Sequence, residues 1–472
     1  MEKAVYNPKF ELFKNYINNK RIAVVGLGVS NVPMMKFLKE LGATIIGCDG
    51  KDEGEFDKEL LSYFKDNTEA MYLGDDYLSH FDGVDIILKT PGIRPDKAEF
   101  GSAVKSGAVL TSEMEMFFGV CPCKIVAVTG SDGKTTTTTL ISKILSKAGY
   151  GVHIGGNIGN PLLHNVETIS PEDVVVVELS SFQLMNMKYS ADISVITNLS
   201  PNHLDYHTDY DEYCDAKKNI FLHQTTDGKL IVNMENERAN LCGNEAKGSV
   251  LKFSLKNVSP DGAYLKDGKI YFNDEHIMDA SDIKLPGIHN IDNYLAAITA
   301  VYHMVDKEDI RFVARNFEGV KHRLEFVREY RGIRFYNDSI ASSPSRTIAG
   351  LKSFDKKVIL IAGGKDKGIP YDEIGKPICD NVKALVLIGA TSQKIKKAVL
   401  DNISDEASLP IVQADTYQNA VKYALSMGRE GDIILLSPAS TSFDMFKNFE
   451  ERGNLFKSIV MGLGADESEI QE

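Results

Sequence analysis

"VTGSDGKTTTTTL" (Val128–Leu140) is the stretch whose reading decides the fold of this chain. It closes on Gly-Lys-Thr, the ending of a phosphate-binding P-loop, but the glycine usually found five residues before the Gly of that ending is Val128, and Gly130 follows two residues later. The apolar run "KIVAV" (Lys124–Val128) precedes the loop. Leu140, Ile141, Ile144 and Leu145 follow it at helical spacing. Strand, short loop and helix in that order aim backbone N–H groups and the positive end of a helix dipole at an anion, and Lys134 adds a full charge beside them. Thr135 stands where P-loop Ser/Thr residues ligate Mg²⁺. In the competing reading, Gly130 and Gly133 only shape a turn and Lys134 is solvated. Against it, five successive threonines at a helix start are unfavourable by about half a kcal/mol each relative to alanine, so something beyond helix formation selected them. Thr137, Thr138 and Thr139 find no role at this level.

The chain around the loop is 472 residues long, which predicts about three domains of ~150 residues each. Its 43% hydrophobic and 25% charged residues are ordinary for a globular protein. A net charge of -13 opposes general attraction to nucleic acid or an anionic membrane, so a bound phosphate must be held by local groups. No uninterrupted apolar run approaches ~18 residues, and "MEKAVYNPKFELFKNY" lacks the basic-then-apolar order of a signal peptide; the expected location is cytoplasmic. The six cysteines include one C-x-C and no C-x-x-C, which predicts reduced thiols and neither a zinc site nor a disulfide framework.

Three α/β segments are expected: 1–119, 120–319 and 320–472. In the first, "RIAVVGLGVSNVPMMKFLKELGATIIGCDG" reads as strand, glycine turn, helix and a second strand closing on Asp49. It resembles a dinucleotide-binding fingerprint with Asn31 at the third glycine, so an NAD(P)-dependent dehydrogenase is a rival reading. In the second, "VVVVELSSFQL" reads as a buried parallel strand with Glu178 at its tip, where a nucleotide enzyme holds Mg²⁺ or its water shell. The spacing of His203 and His207 would put both on one face of a helix. The pattern of "DEYCDAKKNIFLH" predicts a helix with Tyr213, Lys217, Ile220 and Phe221 on its apolar stripe and Lys218 facing away. A lysine so placed either snorkels to solvent or serves a function, and spacing does not choose between them. The third segment repeats the strand-loop theme in "GIRFYNDS", "KKVILIAGGKDKG", "VKALVLIGAT" and "GDIILLSPASTSFDMF", with "KHR" (Lys321–Arg323) at the expected hinge.

Taken together, "VTGSDGKTT", "GGNIGNP", "ELSSFQL", "NLSPNHLDYH", "AKKNIF", "GIHNIDN", "HRLEF", "NDSIASSP", "GGKDKG" and "SPASTSFDMFKNFEERGNLF" resemble, in this order, the ATP-dependent Mur ligases. The closing run resembles the members that add D-glutamate. The resemblance implies a Rossmann-like N-terminal domain, a central P-loop ATPase domain with a parallel sheet and a Rossmann-like C-terminal domain. It further implies ATP and Mg²⁺ as cofactors, UDP-N-acetylmuramoyl-L-alanine and D-glutamate as substrates, and a monomer that binds neither nucleic acid nor membrane. Gly28, Val29, Ser30, Asp49, Asn157 and Ser180 would hold the sugar nucleotide. Gly130, Ser131, Asp132, Gly133, Lys134, Thr135, Thr136, Asn293, Arg323 and Asp338 would hold ATP. Thr135, Glu178, His203 and Lys217, the last as a carbamate, would hold metal; Lys134, Glu178, His203, Lys217 and Arg323 would serve catalysis. Lys367, Ser442 and Phe449 would receive D-glutamate. Three positions depart from the family pattern: Ile340 where several members have lysine, Asn202 where aspartate is common, and Asp132 where asparagine is usual. A Mur-family ligase with another acceptor, and an inert relative that only binds sugar nucleotide, are the remaining alternatives.

Overall fold

The computed structural model describes residues 6–28, 31–56, 58–158, 161–204, 206–285, 287–366, 370–403 and 409–464. It divides into two compact units, Met1–Phe317 and Glu318–Glu472.

The first unit holds two parallel sheets. Strands β1 (Arg21–Val25), β2 (Thr44–Asp49), β3 (Ala70–Leu73), β4 (Ile86–Lys89) and β5 (Val109–Thr111) lie in the order β3-β2-β1-β4-β5. The chain reverses its direction of travel across the sheet between β1 and β4, and the glycine turn after β1 stands at that switch point. The second sheet contains β6 (Lys124–Thr129), β7 (Val152–Gly156), β8 (Val174–Glu178), β9 (Ile193–Ile196), β10 (Lys229–Asn233) and β11 (Ser249–Phe253), ordered β11-β10-β9-β6-β8-β7. Here β6 is the switch strand, so the loop Gly130–Gly133 leaves the sheet at the crevice where open α/β sheets bind ligands. "VVVV" of β8 is fully buried because helices cover both faces of a parallel sheet. One apolar core runs from Phe10 and Met34 through Phe117 to Leu163 and Phe221, so the two sheets share their interior. An antiparallel sheet of β12 (Ala263–Lys266), β13 (Lys269–Phe272) and β14 (Glu275–Asp279) completes this unit.

The second unit is one sheet of β15 (Glu325–Tyr330), β16 (Ile333–Asn337), β17 (Val358–Ala362), β18 (Val382–Ile388), β19 (Ile411–Ala414) and β20 (Ile433–Leu436), ordered β15-β16-β20-β17-β18-β19. Only β15 runs antiparallel, paired to β16 across the turn at Arg331 and Gly332. The three doubly wound sheets expected from the strand-loop rhythm are present.

The helix expected over "DEYCDAKKNIFLH" is shorter than its pattern. It spans Tyr210–Lys218, capped at its start by the Asp209 side chain, and Ile220 and Phe221 are buried in the turn that follows. His203 and His207 share no helix face. His203 sits in a turn with φ 54°, exposed, whereas His207 is buried against the Ser181 hydroxyl, with Nε2 and Oγ 2.9 Å apart.

Candidate active site

The site is built at the carboxyl end of β6. Gly130 has φ +148°, and a Cβ there would lie 1.9 Å from Thr197 Oγ1 and 3.1 Å from the Asn198 carbonyl oxygen. Gly133 caps the helix Lys134–Lys147 at φ +78°, where a Cβ would lie 2.3 Å from Asn293 Oδ1. Only glycine fits either position, which is the physical content of the shortened loop.

Neighbouring strands brace the loop. The Ser131 N–H donates to the Asn198 carbonyl at 2.9 Å, the Asp132 N–H to Asn198 Oδ1 at 3.0 Å, and Thr197 Oγ1 to the Asp132 carbonyl at 2.6 Å. Ser131 Oγ donates to the Ser200 carbonyl and lies 2.8 Å from the Tyr213 hydroxyl. We expect Gly130→Ala to cost about 1–3 kcal/mol of stability and to weaken nucleotide binding, because its methyl group meets the Asn198 backbone just after β9 as well as the Thr197 side chain. Thermal melting with and without ATP checks this; an unchanged melting temperature would show that the loop relaxes.

Two lysines converge on this loop. Lys134 Nζ donates to the carbonyls of Gly130 and Ser131, each at 2.9 Å. Lys217 Nζ donates to Thr129 Oγ1 at 3.1 Å and to the same Gly130 carbonyl at 2.9 Å. Lys217 is 1% exposed, and its Nζ lies 4.8 Å from the centre of the Tyr213 ring. Burial, and then the charge of Lys134, hold its pKa well below the usual lysine range. The two readings left open by spacing are thereby separated: Lys217 does not snorkel, whereas Lys218 faces out and pairs with Asp215 and Glu245.

Glu178 ends β8 beside the loop, opposite Val128 in the parallel register. It is 1% exposed. Oε1 accepts from Asn157 Nδ2 at 2.9 Å, and Oε2 has no hydrogen-bond partner among the described residues. A buried carboxylate oxygen left open is costly unless a cation occupies it, and hard divalent ions take oxygen ligands. The donor set fits Mg²⁺. The threonine run also resolves in part, since Thr137 Oγ1 donates to Asn293 Oδ1 at 3.3 Å and Thr139 Oγ1 to the Thr135 carbonyl at 2.7 Å. Thr135 is buried and Thr136 half-buried at the first turn of the helix. Nothing in the structure explains Thr138.

The remaining residues sort by their present engagements. Asp49 braces the glycine turn by accepting from the N–H groups of Leu27 at 2.7 Å and Lys51 at 3.0 Å; Gly28 is exposed on that turn. Val29, Ser30 and Lys367 lie outside the described residues. Ser180 caps the helix Ser181–Leu184. The His203 ring lies 4.9 Å from that of Phe182, and the His203 backbone N–H donates to Asn202 Oδ1 at 2.9 Å.

In the second unit Arg323 is exposed, while Asp338 is buried. The Asp338 carboxylate accepts from Ser437 Oγ at 2.8 Å and the Leu324 N–H at 3.2 Å, and burial pushes its pKa up to about 7. Ser442 is buried, and Phe449 begins the helix Phe449–Gly462. Beside Ile340, Arg346 Nη1 donates to the Ile340 carbonyl at 3.2 Å.

Some structural supports escaped the sequence reading. Arg94, in the turn after β4, donates to both Glu212 oxygens, at 2.9 and 3.0 Å, and to the Tyr206 carbonyl at 2.6 Å, and it pulls the Glu212 pKa down to about 2. That fork fastens the first sheet's rim to the start of the helix carrying Lys217. Arg452 is fully buried and donates to Ser339 Oγ, the Ser339 carbonyl and the Ser440 carbonyl, tying together the loops after β16 and β20. No local pattern marks Arg94, because its partner Glu212 stands 118 positions along the chain.

Comparison with known proteins adds the family. The Mur ligase middle domain matches residues 128–301, and the Mur ligase glutamate ligase domain matches residues 322–440. A UDP-N-acetylmuramoylalanine--D-glutamate ligase of Acetivibrio thermocellus is 51% identical over 466 residues, covering 97% of this chain and 100% of that relative. The protein of the same name from Ruminiclostridium cellulolyticum is 49% identical over 464 residues, with 97% and 100% covered. Among solved structures, the UDP-N-acetylmuramate-alanine ligase of Thermotoga maritima has a similar fold, with a TM-score of 0.57 at 18% identity over 94% of this chain and 99% of that one.

Proposed function

The chain belongs to the Mur ligase family, and on that premise we propose that it is an ATP-dependent ligase joining D-glutamate to UDP-N-acetylmuramoyl-L-alanine in peptidoglycan precursor synthesis. One observation carries the ligase chemistry: Lys134, Lys217 and the open oxygen of Glu178 surround a single loop at the switch point of the central sheet. The choice of D-glutamate is supported by relatives of that name at about half identity along nearly the whole chain.

The reaction follows from charge. The alanyl carboxylate and the ATP γ-phosphate repel each other, so attack needs cationic groups that neutralise the developing charge and fix the line of approach. In this chain Lys134 and the loop N–H groups from Gly133 to Thr136 bind the phosphates, while the Ser131 and Asp132 N–H groups hold the loop to Asn198, and Gly133 lets the backbone come close. The carboxylate displaces ADP to give an acyl phosphate. The amine of D-glutamate then attacks the acyl carbon, phosphate leaves, and the amide forms.

Asn157, through its bond to Glu178, holds the carboxylate that would face the metal. Thr135, Glu178, His203 and Lys217 as its carbamate would hold Mg²⁺, which when bound supplies positive charge between the two anions. Asn293 sits against Gly133, where it would meet the nucleotide. Arg323 and Asp338 would contact ATP phosphate and ribose. Gly28, Val29, Ser30, Asp49 and Ser180 would serve the sugar nucleotide, and Lys367, Ser442 and Phe449 the acceptor. We further propose three domains, 1–119, 120–319 and 320–472, and a monomer working in the cytoplasm.

The test is phosphate release from ATP with Mg²⁺ and UDP-N-acetylmuramoyl-L-alanine, comparing D-glutamate, L-glutamate, L-lysine, meso-diaminopimelate and no acceptor. Release with D-glutamate alone, and a product heavier by one glutamyl residue, is expected. Release with another amino acid keeps the ligase and replaces the acceptor; silence in every arm removes the reading.

A further inference from the structure

Of the six thiols, two stand together. Cys121 ends the helix Glu113–Val120 and Cys123 immediately precedes β6, with only Pro122 between them. Their Sγ atoms are 3.8 Å apart, in S–H···S contact, and Cys121 Sγ also lies 3.5 Å from the Cys123 carbonyl oxygen, to which it donates. Both are free thiols. Cys121 is 2% exposed, whereas Cys123 is half-buried and reaches solvent. None of the chemistry at the phosphate loop uses them.

We propose that Cys121 and Cys123 form a dithiol modification site that takes up low-molecular-weight disulfides and closes to an internal disulfide. Three features of the geometry favour this. A disulfide needs its sulfurs about 2.05 Å apart, and these already touch at 3.8 Å before any bond forms. The single intervening proline fixes φ and leaves almost no loop-closure entropy to lose, so the second thiol acts at high effective concentration. The exposures differ in the useful sense, one sulfur for entry and one sheltered sulfur for resolution.

The steps balance. The Cys123 thiolate attacks one sulfur of the incoming disulfide, forming a mixed disulfide and releasing one thiol. The Cys121 thiolate then attacks Cys123 Sγ, the Cys121–Cys123 bond forms, and the second thiol leaves. Two protons go to solvent and thence to the departing thiolates, and the external disulfide is the oxidant. The hydrogen bond from the Cys123 S–H eases the first proton's loss from Cys121, with desolvation opposing it, and the same bond and burial push the Cys123 thiol up, so the attacking Cys123 thiolate forms by passing its proton to Cys121 across their contact. Lys9, whose Nζ donates to the Cys121 carbonyl at 3.1 Å, favours the anion, while Asp173 and Asp192 disfavour it. The other half-buried thiol, Cys379, lies far along the chain in the second unit, is not paired with another cysteine, and serves as an internal control.

The full chain is incubated with oxidised glutathione, raised until Cys379 carries a glutathionyl group, and is mapped by peptide mass. The expected result is a Cys121–Cys123 disulfide without retained glutathione in the unsubstituted protein, and a stable glutathionyl group on Cys123 in Cys121→Ser. Should that variant not fold, Cys123→Ser serves: Cys121 is then expected to stay reduced, since its sulfur is covered. The proposal is overturned if both thiols remain reduced while Cys379 reacts, or if the unsubstituted protein ends as a mixed disulfide at Cys123.

Discussion

Lys217→Met is expected to yield a folded, more stable protein that has lost about 10³-fold in turnover. The lysine occupies a site that disfavours its own charge: it is buried, close to Lys134, and its two acceptors are a threonine hydroxyl and a carbonyl that Lys134 also serves. Removing Lys217 therefore leaves the Gly130 carbonyl bonded, and Thr129 Oγ1 keeps its 2.7 Å bond to the Leu179 carbonyl. Met fills the space without a polar head, so the fold should hold.

The pH dependence supplies the sign. Unfolded, Lys217 is protonated up to its ordinary pKa; folded, it is neutral at lower pH, so the unfolded state binds the extra proton and stability rises with pH across that window. Lys217→Met should be most stabilised relative to the parent at and below the depressed folded-state pKa of Lys217, with the difference shrinking as the pH rises from there to the ordinary lysine pKa. The activity should go for a different reason. A buried neutral amine can add carbon dioxide, forming an N–C bond and releasing a proton, and the resulting carbamate is an anion fit to hold metal beside Glu178. In Lys217→Ala, added short carboxylates should restore part of the turnover. Full activity without them would remove the carbamate from the mechanism.

The features legible in the sequence were those set by local rules. Gly130, Gly133 and Lys134 declared a tight strand-to-helix loop because backbone conformation and charge are written residue by residue. Lys217 was placed on the inward stripe by helical spacing, and burial then decided what spacing left open. What escaped needed pairing across the chain. The Arg94–Glu212 fork joins residues 118 positions apart, whereas the antiparallel course of β15 and the sheet β12–β14 are local hairpins, marked at their turns by Arg331-Gly332, Asp267-Gly268 and Asn273-Asp274. The helix carrying Lys217 stopped at Lys218, although Ile220 and Phe221 continue its apolar pattern, because the chain turns there: the Ile220 N–H bonds to the Lys217 carbonyl, and its own carbonyl accepts from Ser194 Oγ. His203 and His207 had helical spacing without a helix, since the former lies in the left-handed region. The Cys121–Cys123 contact was hidden for the opposite reason: the residues stand two positions apart in sequence, but only the side-chain rotamers bring their sulfurs together.

Lys134→Ala should lower turnover by about 10²–10³-fold, abolish most nucleotide binding and leave sugar-nucleotide binding in place. Its ammonium makes two hydrogen bonds to loop carbonyls, worth together roughly 1–3 kcal/mol, so some loss of stability accompanies the substitution while the strands and helix around the loop persist. The charge also acts at a distance. Lys134 helps to keep Lys217 neutral, and removing it should raise the Lys217 pKa, reducing the fraction of amine able to form the carbamate. The two residues are therefore coupled, and the loss in Lys134→Ala/Lys217→Ala should be much smaller than the product of the single losses. Independent, multiplying losses would mean that the lysines serve separate steps. A circular dichroism spectrum showing that Lys134→Ala has lost its helices would assign the lysine to holding the loop, and the phosphate reading of Val128–Leu140 would fall with it.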